Sequence, residues 1–175
     1  MTFTSLVNPR GRILLIDDDA DAALFVSHVL TTRGQFAVTH TADPVMALRL
    51  TARGACDLVL TETDPPGPDL PGPDLIETDP PGPGCQRLIA ALRQIAPHLP
   101  VAVLTAHLLC RTDADKLRNL ADAYLEKPVP ADRLVAVVTA TLTASAQHRT
   151  PEATASRRAV TGCGVSSPRA ARREN

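Results

Sequence analysis

Five short apolar runs punctuate the chain, at Ile13 to Ile16, Phe36 to Val38, Leu58 to Leu60, Val101 to Leu104 and Tyr124 to Leu125, each bounded by polar, Gly or Pro residues. Runs this short with such flanks predict strands buried in a parallel sheet. The stretches between them carry apolar residues at helical spacing: Ala22, Phe25, Val26, Val29 and Leu30, then Val45, Leu48 and Leu50, then Leu88, Ile89, Leu92 and Ile95. Two further helical stretches surround Leu117 and Leu120, and Leu134, Val138 and Leu142. Asp43-Pro44 is a helix start, an N-cap acceptor followed by proline at the first helical position, and Gly34 and Gly54 suit the matching stops. The pattern predicts β-α repeated five times. Right-handed crossovers then place all strands in one parallel sheet covered on both faces, with a functional crevice at the strands' carboxyl ends.

That rule makes a demand of the sequence: chemically distinctive residues should gather where strands end. Asp17, Asp18 and Asp19 follow the first strand, Glu62 ends the third, Thr105 the fourth, and Lys127 follows the fifth. Two aspartates with a third carboxylate from another strand make a hard-oxygen pocket of the kind that holds Mg²⁺ while leaving positions to water and phosphate. Lys127 supplies a point positive charge, and the Thr105 hydroxyl can donate to a phosphoryl oxygen or rotate away. Crowded carboxylates raise the pKa of at least one of their number unless metal or Lys127 neutralises them.

Two regions fall outside the repeat. Residues 62–83 hold eight of the sixteen prolines and contain ETDPPGP twice, at 62–68 and 77–83, with PGPDL repeated back to back at 66–75. Proline fixes φ and lacks an amide donor, so this tandem duplication is expected to be a mobile, extended, acidic loop rather than a helix or central strand. Residues 144–175, rich in Ala, Arg, Ser and Thr without apolar periodicity, read as a basic tail, disordered by composition and unable to form an output domain. The domain limits expected are an extension over 1–10, a folded unit over 11–146 and the tail over 147–175.

Composition narrows the class. A length of 175 residues with 44% apolar content supports one domain, and the aromatic content of 2% leaves Leu, Val, Ile and Ala to fill the core. So few aromatics disfavour stacking surfaces for single-stranded nucleic acid, and no nucleic-acid partner is expected. Residues 144–175 carry six Arg against two Glu, a balance of +4, leaving −5 for residues 1–143, so the acidity lies in the folded part. Cys56, Cys85, Cys110 and Cys163 lack metal or disulfide spacing and read as reduced thiols. His28, His40, His98, His107 and His148 share no ligand spacing. No signal peptide or membrane span is readable, and a soluble cytoplasmic protein is the expectation.

Four motifs, ILLIDDD at 13–19, DLVLTE followed by PPG at 57–67, PVAVLTA at 100–106 and YLEKP at 124–128, occur in the order in which the response-regulator receiver domain carries them. Together they make residues 11–146 resemble that family far more specifically than any one motif could. The resemblance implies a single-domain member of two-component signalling, with a flavodoxin-like (βα)5 fold, a doubly wound parallel sheet of strand order 2-1-3-4-5. It implies Asp17 and Asp18 as Mg²⁺ ligands, joined by the acceptor side chain and the backbone carbonyl of Asp64. It also implies Thr105 and Lys127 as phosphoryl contacts and, with Thr105, Tyr124 as the aromatic switch. The partners implied are a histidine kinase or phosphotransfer protein upstream, and a downstream protein meeting the face formed by helix 4, strand 5 and helix 5.

The sequence departs from the family where it matters most. Counting from Asp57, the strand DLVLT delivers Glu62 to the phosphoacceptor position that the family gives to aspartate, with Pro66-Gly67 at the usual downstream spacing. Glu77 before Pro81-Gly82 matches downstream, but Pro71-Gly72-Pro73 leaves no room for a buried strand before it. Leu120 also stands where receivers often place glycine. Glutamate carries its carboxylate about 1.5 Å further into the pocket. There it can pair with Lys127 and Thr105 with a charge near −1, against about −1.5 to −2 for a phosphate ester. The expectation is partial mimicry of the phosphorylated state and poor or absent phosphorylation, because displacement at phosphorus is sensitive to a shift of about 1 Å.

Each feature has a plainer explanation. Three aspartates at a strand-to-helix junction can simply cap a helix, the reading preferred for Asp19. Thr105 alone is an ordinary strand residue, Tyr124 an ordinary half-buried aromatic, Lys127 a surface lysine, and Asp64, Asp69, Asp74 and Asp79 solvated loop charges. Three functions compete: a phosphorelay receiver, a pseudo-receiver that docks partners without chemistry, and, far behind, a haloacid-dehalogenase-like phosphatase with Asp17 as nucleophile and Asp19 as acid. The first two make the protein a signalling module and not an enzyme.

Overall fold

A computed structural model describes residues 9–62, 84–105 and 111–148. Within them the strands β1 (Arg12–Ile16), β2 (Ala37–Thr41), β3 (Leu58–Glu62), β4 (Val101–Thr105) and β5 (Ala123–Glu126) alternate with helices α1 (Ala20–Thr32), α2 (Pro44–Ala52), α3 (Gly84–Ile95), α4 (Arg111–Leu120) and α5 (Ala131–His148). All strands are parallel in the order β2-β1-β3-β4-β5, the flavodoxin-like arrangement.

The two-residue period of the strands divides the core. Ile13 and Leu15, Leu58 and Leu60, Ala102 and Leu104, and Leu125 face one layer, where Val26, Val29 and Leu30 of α1 meet Leu134 and Val138 of α5. Leu14 and Ile16, Val59, and Val101 and Val103 face the other, against Ala47 of α2, Leu88, Ile89 and Leu92 of α3 and Leu117 of α4. Burying each Leu, Ile or Val contributes about 1.5–3 kcal/mol, which makes these aliphatic layers the main source of stability in a chain without tryptophan.

Several details differ from the sequence pattern. The second strand begins after Phe36, which is buried beneath α1, and runs on to Thr41 with most of its side chains exposed because it is a sheet edge. Phe25, placed by spacing on the buried face of α1, is 57% exposed, and Ala23 takes the inward position instead. Ile95 and Leu120, each at the end of its helix, are also exposed. Residues 144–148, read as part of the tail, continue α5 to His148, in keeping with the helix propensity of Ala and Gln.

The helix boundaries have local causes. Asp43 accepts from the Val45 amide at 2.8 Å with Pro44 at the first helical position. Gly54 follows α2 with φ of +64°, the left-handed conformation that glycine adopts without strain. Gly34 serves differently: a Cβ there would lie 2.5 Å from the Phe36 ring and 2.6 Å from the Leu30 carbonyl oxygen. Close approach, not backbone angle, requires glycine at that position, and the positive φ of 57° falls on Gln35. Gly84 opens α3 directly beyond the proline-rich repeat, and the readings for that loop, Asp64 and Glu77 included, lie outside the described residues.

Candidate functional site

The strand registers align the carboxyl ends of β1, β3, β4 and β5. Ile16 pairs with Thr61, Glu62 with Leu104, and Thr105 with Glu126, so the residues at or just after these positions share one rim of the sheet. Strand alternation assigns Glu62 to the set of Leu58 and Leu60, and Thr105 and Tyr124 to the set facing α3 and α4.

The side chains converge as expected for this topology. Lys127 Nζ donates to Glu62 Oε1 at 3.0 Å and to Asp17 Oδ2 at 3.3 Å. Asp17 is 1% exposed, and its other carboxylate oxygen accepts from the Asp19 amide at 2.9 Å, while its backbone carbonyl lies 2.8 Å from His40 Nε2. Asp18 stands exposed beside it, and carboxylate oxygens of Asp17, Asp18 and Glu62 all lie within 4.8 Å of one another. Thr105, buried at the end of β4, completes the rim. Asp19 turns away: its carboxylate accepts from the Asp21 and Ala22 amides as the N-cap of α1. That engagement leaves it poorly suited to act as a general acid.

Electrostatics follow from this packing. Partial burial raises the Glu62 pKa, the Asp17 carboxyl against it adds to the rise, and Lys127 draws it back. For Lys127 burial works against the charge, but the hydrogen bond to Glu62 and the two carboxylates outweigh it and leave its pKa above the ordinary lysine value. Lys127 is therefore a committed cation held between two acidic groups. The three-carboxylate donor set, all oxygen and all on one rim, fits a hard divalent cation such as Mg²⁺.

Tyr124 occupies the strand beside Thr105. Burial raises its phenol pKa, the Glu126 charge adds to that, and Arg118 and a side-chain hydrogen bond with Thr105 lower it. Arg118 lies over its ring at 4.7 Å from the centroid, a contact that the four motifs gave no means of finding because they contain neither Arg118 nor any sign of where α4 crosses β5. The His40 contact to Asp17 was likewise missed, since it depends on β2 lying next to β1.

Comparison with known proteins agrees with this fold. Residues 13–139 match the family model described as the response regulator receiver domain. The response regulator protein FleR of Pseudomonas aeruginosa is 29% identical over 129 residues, covering 73% of this chain but only 24% of FleR. The receiver domain of NtrX from Brucella abortus is 26% identical with a TM-score of 0.61, covering 75% of this chain and 98% of that one. A response regulator receiver domain protein from Clostridium thermocellum, at 22% identity, shares the fold with a TM-score of 0.61 over 78% of this chain and 98% of its own.

Proposed function

The chain belongs to the response regulator receiver domain family, and from that premise we propose that it works in two-component signalling as a receiver held in an active-like state by Glu62. The observation that carries this reading is the 3.0 Å contact between Glu62 Oε1 and Lys127 Nζ. In the family the lysine binds the phosphoryl group; here a carboxylate belonging to the protein already accepts its proton. Ionised Glu62 supplies one negative charge, against about −1.5 to −2 for the phosphate it would imitate, so the mimicry is partial.

Phosphorylation of Glu62 itself is expected to be weak or absent. Its carboxylate is advanced by one methylene and engaged by Lys127, and in-line transfer tolerates little displacement. Asp17, Asp18 and Glu62, with the backbone carbonyl of Asp64, would hold Mg²⁺. When bound, that ion supplies positive charge toward phosphoryl oxygens. Thr105 and Lys127 provide the donors facing them, and Asp17 orients Lys127. The partners proposed are a histidine kinase or phosphotransfer protein and a downstream protein on the face of α4, β5 and α5.

The same ion pair also favours a pseudo-receiver that docks a partner with no transfer at all. Intact-mass analysis after incubation with a small-molecule phosphodonor and Mg²⁺ separates the readings. We expect no stoichiometric mass gain in the wild type and a gain in Glu62→Asp, which restores acceptor length; stoichiometric phosphoryl addition mapped to Glu62 itself would falsify the active-like reading. No gain even in Glu62→Asp would leave the pseudo-receiver as the function.

A further inference from the structure

Arg118 stands in the last turn of α4 and reaches across to β5. Its guanidinium bonds Glu126 at 2.9 Å and Asp115 at 3.4 Å while lying 4.7 Å from the centre of the Tyr124 ring. Glu126 is the register partner of Thr105, and the Thr105 side chain lies near enough to the Tyr124 phenol to lower its pKa. Arg118, Glu126 and Tyr124 thus link the surface of α4 to the strand paired with Thr105, on the rim that carries the acidic site. Beside them opens a cavity of about 490 Å³, lined by Arg118, Tyr124, Glu126, Pro128 and Arg133.

We propose that Arg118 is a positioning residue: it holds the Tyr124 ring inward on Thr105, and so couples the position of α4 to the phosphoryl-recognition end of the sheet. The physical basis is the attraction between a cation and an aromatic face, with the ion pair to Glu126 fixing where that cation sits. Release of Arg118 lets the ring enter the neighbouring cavity and frees the Thr105 hydroxyl. This inference rests on the reading of the chain as a receiver and on the switch role that the family resemblance implies for Tyr124, but its test needs neither phosphodonor nor metal.

The chain has one tyrosine and no tryptophan, so its intrinsic fluorescence reports on Tyr124 alone. Acrylamide quenching is measured on the full chain for the wild type, Arg118→Ala and Arg118→Lys, with circular dichroism confirming that each is folded. Arg118→Ala is expected to raise the ratio of outward to inward ring about two- to fivefold, the factor carried by an exposed cation–π contact, and so to increase the quenching constant. Arg118→Lys, which keeps the cation, should stay nearer the wild type. Glu126→Gln, which keeps the arginine but loosens it, should give a smaller rise in the same direction. Quenching of Arg118→Ala equal to the wild type, or of Arg118→Lys equal to Arg118→Ala, overturns the proposal. Failure of the Glu62 reading would appear in the mass analysis and leave this result untouched.

Discussion

Lys127 Nζ lies 3.0 Å from Glu62 Oε1, so the acidic end of β3 is joined by an ion pair to the lysine that follows β5. Asp17, almost wholly buried, takes a second contact from the same ammonium at 3.3 Å. One cation therefore balances two carboxylates on different strands.

Removal of that cation should be costly. In Lys127→Ala, Asp17 and Glu62 face each other without compensation, and a loss of about 1–3 kcal/mol is expected for stranding partly buried charged acceptors. Urea denaturation of the metal-free protein measures it. Added Mg²⁺ should recover part of the loss, because the ion replaces the missing positive charge; an unchanged denaturation midpoint would mean that the contact contributes nothing.

Metal binding should depend on Asp18 without the fold depending on it, since Asp18 is exposed beside the buried Asp17. Free Mg²⁺ at ten times its dissociation constant should stabilise the wild type by about 1.4 kcal/mol through mass action. Asp18→Asn is expected to retain the metal-free melting temperature and lose most of the Mg²⁺-dependent rise. A rise equal to that of the wild type would remove Asp18 from the ligand set.

The acid limb of stability has a definite sign. The folded-state pKa of Glu62 is raised above the ordinary value of 4.5, so at intermediate pH the folded protein holds a proton that the unfolded chain releases. The Glu62 contribution is full below pH 4.5 and is lost as pH rises through the folded pKa. Lys127 has the same sense at the alkaline end: its raised pKa gives stability that is present below 10.5 and lost above. Stability curves in the absence of metal for the wild type and Glu62→Gln should differ by this slope above pH 4.5. Parallel curves would remove Glu62 as its source.

Gly34 tests a purely steric requirement. A methyl group there meets both the Phe36 ring and the Leu30 carbonyl well inside contact distance, and the backbone atom cannot yield as a side chain can. Gly34→Ala should cost about 1–3 kcal/mol, as overpacking of a close-fitted site does. The equivalent change at Gly54, where nothing lies within 4 Å, would act only through its positive φ. Thermal melts of the two variants compare these causes, and a stable Gly34→Ala would show that the α1–β2 turn gives way.

Periodicity along the chain determined the five β-α units, because buried strands and amphipathic helices each leave a repeat of their own length in the sequence. It also placed Asp17, Asp18, Glu62, Thr105 and Lys127 at strand ends, which is where a parallel sheet must present its chemistry. Tertiary structure decided what linear spacing does not encode. The edge position of β2 left most of its residues exposed, the rotation of α1 turned Phe25 outward, and α4 crossing β5 set Arg118 on Tyr124. Distances such as the one joining Glu62 to Lys127 belong to this second group, since residues 65 positions apart meet only when strand order and register bring their rims together.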